Sequence, residues 1–199
     1  MGVAPGEPVV EVMSRRPLII GLTGLAGSGK SAAAYELFRL GYTRHRFSGP
    51  LKAMMVALGL GFEEIEGDLK EVPCAFLGGA TPRHAMQTLG TEWGRRCMPA
   101  DFWVGLWREA AREAAREALR SGEHGVVAED CRFPNEARAV RDLGGQIWRV
   151  TRPGLDAAGG HLSEQIQAEI KPDWILNNDG TLDALGDAVR ARIIEGGNQ

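Results

Sequence analysis

The sequence predicts an α/β fold in which a parallel sheet carries helices on both faces. Two observations lead there. Short apolar runs that read as buried strands, such as "PLIIGLTG" and "GVVAED", alternate along the chain with segments of helical periodicity, the pattern of repeated strand–helix units. The 199 residues, 44% apolar and 25% charged, suffice for one well-cored domain and are short for two.

The elements follow in order. "PLIIGLTG" closes on glycine and reads as a buried parallel strand. "GKSAAAYELFRLG" reads as a helix stopped at Gly41, and "YTRHRF" as a short strand. "GPLKAMMVALGL" is helical after Pro50. "TPRHAMQTLGTEWGRR" reads as one further helix, with Thr81 as N-cap and Pro82 at its first position. Phe102 to Ser121 is a long amphipathic helix whose apolar residues Phe102, Leu106, Ala110, Ala114 and Ala118 recur every four positions. Its "REAAREAAREA" run is a solvated face with Glu and Arg three apart. "GVVAED" is a second buried run, "RFPNEARAVRDLGG" a helix ending at glycine, and "QIWRVTR" a strand. "PGLDAAGGH" is a Gly-rich loop, "PDWILNND" the last strand and "TLDALGDAVRARIIE" the last helix.

Net charge is −3, without the basic excess of a protein that tracks a nucleic-acid backbone. Cys74, Cys97 and Cys131 are scattered, odd in number and without metal spacing, which fits a reducing cytosol. The N-terminal "MGVAPGEPVVEVMSRRP" has no long apolar core, so residues 1–16 read as a flexible tail and neither a signal peptide nor a membrane span is expected.

The strongest chemical signal is "GLAGSGKS", which fits G-x-x-x-x-G-K-[ST] without exception. A buried strand precedes it and a helix follows, as its mechanism requires. The glycines let backbone N–H groups curl around phosphate oxygens, and the following helix N-terminus favours anions. Gly24, Ala26, Gly27, Ser28, Gly29, Lys30, Ser31 and Ala32 are thus the candidate residues for a nucleoside triphosphate. Lys30 reaches the transferred phosphate and the Ser31 hydroxyl serves Mg²⁺. Such proteins hold the metal partly through an acid at the end of a second strand. Asp130 is the first choice and Glu129 beside it the second; the alternative is that one of them caps the next helix.

A guanine-reading Asn-Lys-x-Asp motif is missing, since "NNDG" does not match it. A motor or helicase would carry further motifs. A small-molecule kinase needs only the loop, an acceptor pocket and cations. An acceptor hydroxyl calls for a positioned base, whereas an acceptor phosphate calls for several cations, arginine above all. Lys52, Arg83, Arg95, Arg132, Arg149 and Arg152 supply these, and no Ser-His-Asp or His-Asp arrangement is evident. The inventory favours a phosphate acceptor.

At this point "LTGLAGSGKS", "FSGPLKAMM", "TPRHAMQTLGTEWGRR", "DCRFPNEA", "GGQIWRVTRPG", "HLSE" and "NNDGTLDAL", spread from Leu18 to Val189, resemble the phage-type deoxynucleoside monophosphate kinases of the P-loop kinase group. The resemblance implies a three-layer P-loop fold with a five-stranded parallel sheet, an acceptor-binding helical region at about 48–121 and a lid at about 152–165, all in one domain spanning 17–199. It also implies transfer of the ATP γ-phosphate to a deoxynucleoside 5′-monophosphate. Carried over by position, Lys52, Arg83, Gln87, Glu92, Trp93 and Arg95 fall on acceptor-side motifs, and Arg132 and Glu136 of the strand-end motif are assigned to the substrate with them. Lys30, Asp130, Arg132 and Arg152 fall on the catalytic positions, with Ser31 and Asp130 on the metal. His161, assigned to the substrate, lies with Ser163 and Glu164 on the lid-side motif.

Plainer roles stand beside these. Trp93 either stacks on a base or is a core aromatic; Gln87 and Glu92 are either contacts or surface residues. Asn178, Asp179 and Thr181 either lie near the adenine or cap the last helix. The expected partners are small nucleotides, with no nucleic acid and no membrane; a homodimer is left open. The expected location is cytoplasmic, of the host if phage-encoded. Competing functions are a P-loop kinase of another phosphorylated small molecule or of hydroxymethylated bases in DNA, and a non-catalytic nucleotide-binding module.

Overall fold

The computed structural model describes residues 19–155 and 166–196. The N-terminal tail, most of the expected lid, and His161, Ser163 and Glu164 lie outside the described residues. The strands are β1 (Ile19–Thr23), β2 (Tyr42–Arg44), β3 (Gly125–Ala128), β4 (Gln146–Thr151) and β5 (Trp174–Asn177). They form one five-stranded sheet in the order β2-β3-β1-β4-β5, every pair parallel. The two-residue period of the strands explains why a helix layer is needed on each side. Ile19, Val126 and Ile147 join one buried cluster, while the next residues along, Ile20, Val127 and Trp148, join another.

The first cluster packs under α5 (Phe102–Ser121) and α6 (Pro134–Asp142), through Val104, Trp107, Ala111, Ala137 and Val140. The second packs under α1 (Lys30–Arg39) and the last helix, α7 (Leu182–Gly196), through Ala33, Leu37, Leu185 and Val189. Between β2 and α5 the chain builds a separate helical region: α2 (Gly49–Ala57), α3 (Phe62–Ile65), two short 3₁₀ turns, and α4 (Pro82–Gln87). It has its own small core of Met55, Leu60 and Ile65, backed by Ala85, Met86 and Leu89.

Several expectations change. The second strand is only Tyr42–Arg44, because the chain turns off the sheet after His45 N–H donates to Val127 O (2.9 Å). On α5 the buried face is Trp103, Val104, Trp107, Ala111 and Ala118, whereas Leu106 is exposed. A strict four-residue repeat drifts around a helix of 3.6 residues per turn, so a stripe that stays on the core must mix steps of three and four. The Glu–Arg pairs three apart do form on the outer face, Glu109–Arg112, Glu113–Arg116 and Glu117–Arg120, and such exposed pairs are worth roughly 0–1 kcal/mol each.

The segment read as one helix from Thr81 is two. Thr81 Oγ1 caps α4 by accepting from His84 N–H (3.1 Å), but from Thr88 to Cys97 the winding widens to a π-helix, closed by Met98 N–H donating to Trp93 O (3.0 Å). Two glycines permit the close packing there. A Cβ on Gly94 would come within 2.1 Å of the Trp103 indole nitrogen, and one on Gly90 within 2.9 Å of Leu51. Trp103 Nε1–H then donates to Gly90 O (3.0 Å). A regular helix, turning about 100° per residue, would set Met86 and Arg95 on opposite sides. The i→i+5 winding, roughly 80° per residue, brings them round toward one side.

Candidate active site

Because β1 lies between β3 and β4, the segments leaving the C-terminal ends of β1 and β3 sit side by side, where open parallel sheets place their ligands. The loop after β1 carries positive φ at Gly24 (137°), Gly27 (77°) and Gly29 (107°). Gly24 is also constrained by space, since a Cβ there would stand 2.2 Å from Val150 O. Lys30 Nζ donates to Gly24 O (2.6 Å) and Leu25 O (2.7 Å). The buried Asn178 donates Nδ2–H to Ser28 O (2.8 Å). These side-chain donors hold three of the loop's carbonyls, and Ser28 N–H closes a turn on Leu25 O (3.1 Å). The buried Ser28 Oγ has no hydrogen-bond partner among the described residues. Asn178 thus braces the loop, while Thr181 caps α7 by accepting from Ala184 N–H (3.2 Å).

From this loop a cleft of about 510 Å³ opens toward the helical region. It brings together Gly24, Ala26, Lys30, Ser31, Lys52, Arg83, Gln87, Arg95, Asp130, Arg132 and Glu136 from the expected set. It also gathers Arg46, Phe47, Glu66, Lys70 and Gln167, which the sequence reading missed. Glu92 instead pairs with Arg96 on the exposed face of the π-helix. Trp93 packs edge-on to Phe102 (5.4 Å between centroids) and beside Trp103 (5.9 Å), and lines a different, apolar groove with Met54 and Leu58. Arg152 is exposed and does not line the cleft. Arg149 donates to the carbonyls of Gln167 (3.3 Å) and Ile170, so it holds a turn of the chain.

The two acids after β3 have separate surroundings. Glu129, 5% exposed, accepts from Arg44 Nη2 (2.6 Å) and from Arg46 Nε. Arg46 also bonds Glu66 (2.6 Å), and Glu66 bonds Lys52 (2.6 Å), making one chain of charges along the cleft wall. Burial raises the Glu66 carboxyl, but Lys52, by hydrogen bond and charge, and Arg46 outweigh it and leave it below the usual carboxylate range. Arg44 and Arg46, two apart at the end of a strand, were the available signal for this chain of charges; for Glu66 and Lys70 there was none. Asp130, half-buried, accepts from the backbone N–H of Phe47 (2.8 Å) and Ser48 (2.9 Å), which ties the start of α2 to the end of β3.

Glu136 lies on the first turn of α6 and is 3% exposed. It accepts from the N–H groups of Arg132 (2.7 Å) and Phe133 (3.1 Å) and from Arg95 Nη2 (2.7 Å). The Arg95 guanidinium also lies 3.8 Å over the Phe133 ring. Glu136 therefore locates one cleft arginine by its side chain and another by its backbone. Burial pushes the Glu136 carboxyl from its ordinary 4.5 up to about 7, Asp130 adding to the shift while the two amides and Arg95 oppose it. A carboxyl raised on folding binds its proton more tightly in the folded chain. Its stabilising contribution is complete below about pH 4.5 and is lost as pH rises through about 7. The Tm of the wild-type chain relative to Glu136→Gln should accordingly fall between pH 4.5 and 7 in thermal melts. A flat difference would mean that this carboxyl titrates normally.

A phosphate loop between a central parallel strand and a helix, facing an acid-and-arginine strand end across one cleft, defines the P-loop nucleotide-binding class. The particular family follows from sequence similarity. The family model of deoxynucleotide monophosphate kinase matches residues 78–189. A protein of Acanthamoeba polyphaga mimivirus, provisionally named deoxynucleotide monophosphate kinase, is 35% identical over 176 residues, 83% of this chain and 91% of that protein. The deoxynucleotide monophosphate kinase of Enterobacteria phage T4 is 28% identical over 103 residues, 52% of this chain and 41% of that protein. Among solved structures, dephospho-CoA kinase from Campylobacter jejuni aligns over 92% of this chain and 98% of that one, at 14% identity and a TM-score of 0.46. The chain belongs to the deoxynucleotide monophosphate kinase family. Among the described residues, no helix is long and apolar enough to cross a membrane.

Proposed function

We propose that the chain transfers the γ-phosphate of ATP to the 5′-phosphate of a deoxynucleoside monophosphate. The observation that carries this reading is the single cleft shared by the phosphate loop and by Lys52, Arg83, Arg95 and Arg132. The acceptor oxygen is already ionised near neutral pH, so no general base is needed, and the barrier lies in bringing two polyanions together. Lys30 and the loop amides hold the ATP phosphates, and Arg95 and Arg132 receive the acceptor phosphate and the charge that develops in transfer. Arg95 comes to this task with its orientation set by Glu136 and Phe133, which lowers the cost of ordering it.

The donors also suit Mg²⁺. The Ser31 hydroxyl and the Asp130 carboxylate line one cleft and are hard oxygen ligands. Among the described residues, no group of three or more His, Cys, Asp or Glu forms an all-protein site. Ser31 and Asp130 would hold the ion, which would supply positive charge to offset that of the phosphates. Asp130 is the acid assigned to it, because Glu129 already serves Arg44 and Arg46. Asp130→Asn should raise the Mg²⁺ concentration for half-maximal rate by about tenfold, a factor worth about 1.4 kcal/mol. Glu129→Gln should act on stability instead, since breaking a buried ion pair costs about 3–5 kcal/mol. Magnesium titrations with chemical denaturation of both variants separate the two roles, and the reverse pattern would transfer the metal to Glu129.

A coupled ADP-release assay over the common deoxy- and ribonucleoside monophosphates tests the function itself. Turnover is expected with free deoxynucleoside monophosphates and not with DNA. Turnover with DNA alone would replace this reading.

A further inference from the structure

Gln167 takes no part in the chemistry described so far, yet it is 4% exposed and lines the cleft. Its Nε2 donates to Gly24 O (3.0 Å) and to Cys131 O (3.4 Å). Gly24 opens the phosphate loop. Cys131 stands between Asp130 and Arg132, assigned above to the metal and the acceptor phosphate. One buried side-chain amide therefore touches both the ATP-holding loop and the acceptor-holding strand end. Both partners are carbonyls, so only a donor fits, and a neutral –NH₂ supplies two N–H groups without adding charge.

The surroundings make this a built position. Gly24 O also accepts from Lys30 Nζ (2.6 Å), and a carbonyl has two lone pairs for two such donors. Arg149 Nη2 donates to the Gln167 carbonyl (3.3 Å) and to Ile170 O, and so secures the turn that presents the amide. Cys131 N–H in turn donates to Leu22 O (3.1 Å), just before the phosphate loop. Backbone and side chain thus join the ends of β1 and β3 at adjacent levels, leaving little freedom for one to slide past the other.

Resting on the kinase reading above, we infer that Gln167 is a positioning residue that fixes the spacing between the ATP phosphates and the acceptor phosphate. It touches neither substrate. Its effect is on the approach of the two reacting groups, where a displacement of about 1 Å can cost about 10²-fold in rate. Loss of the amide should lower kcat and leave the separate affinities for ATP and for the monophosphate nearly unchanged.

The test uses the full chain with Gln167→Met, which keeps length and shape without a donor, and Gln167→Asn, which keeps the amide but shortens its reach. Calorimetry gives the two binary Kd values, steady-state kinetics gives kcat, and thermal melts report folding. A kcat lower by about 10–100-fold in both variants, with each Kd within threefold of wild type, is the expected result. If Gln167→Met does not fold, Gln167→Asn decides by the same criteria. A folded variant with kcat within twofold of wild type would overturn the inference. So would a binary Kd raised more than tenfold with kcat unchanged at saturation, which would make Gln167 a contact residue. Wild-type chain that transfers no phosphate to any monophosphate would instead overturn the kinase reading.

Discussion

Lys30→Ala is expected to stay folded and to lose about 10²–10³ in kcat, the usual consequence of removing one preorganised charge from a transferring group. Lys30 Nζ sits on Gly24 O and Leu25 O, at 2.6 and 2.7 Å, at the mouth of the cleft. It stands at the N-terminus of α1, where the helix dipole already favours phosphate. The alanine chain keeps the loop glycines and Asn178, so ATP should still bind, more weakly, while the charge on the transferred group goes uncompensated. Single-turnover kinetics at saturating ATP, with a melt to confirm folding, checks this. Wild-type kcat in the variant would remove Lys30 from the transfer step.

Arg132→Ala should lower kcat/KM for the monophosphate by about 10²-fold or more while the Kd for ATP stays within a few-fold, as expected when a charged group loses its partner in a desolvated site. The Arg132 side chain is exposed toward the cleft and makes no ion pair among the described residues. Its backbone N–H is held by Glu136 at 2.7 Å, so the base of the side chain is located while its guanidinium remains available. Arg132→Lys should recover only part of the loss, since lysine keeps the charge without the planar fork that grips two phosphate oxygens. An unchanged kcat/KM in folded Arg132→Ala would reduce Arg132 to a surface residue.

The parts of this molecule that were legible in the sequence are those written in neighbouring residues. The phosphate loop is eight consecutive positions between an apolar run and a helix, and its glycines at Gly24, Gly27 and Gly29 do adopt positive φ. The parallel α/β class was legible in the same way, from the alternation of short apolar runs with helical segments. Thr81 as a cap is read from one residue and the turn after it.

What only the tertiary structure decided depends on groups far apart in the chain. Glu129 and Asp130 are adjacent and chemically alike. Their roles separate because Glu129 meets Arg44, 85 positions away, and Asp130 meets the N–H of Phe47, 83 positions away. The helix after Thr81 differs from the sequence reading because its π winding goes with the close packing of Gly90 and Gly94 against Leu51 and Trp103, which no local periodicity encodes. Gln167 meets Gly24 across 143 positions, and nothing in "EQIQAE" marks that residue. A sequence motif records what a segment does with its own backbone; the partner of a buried charge or amide is set by which strands lie side by side, and here that is the placement of β1 between β3 and β4.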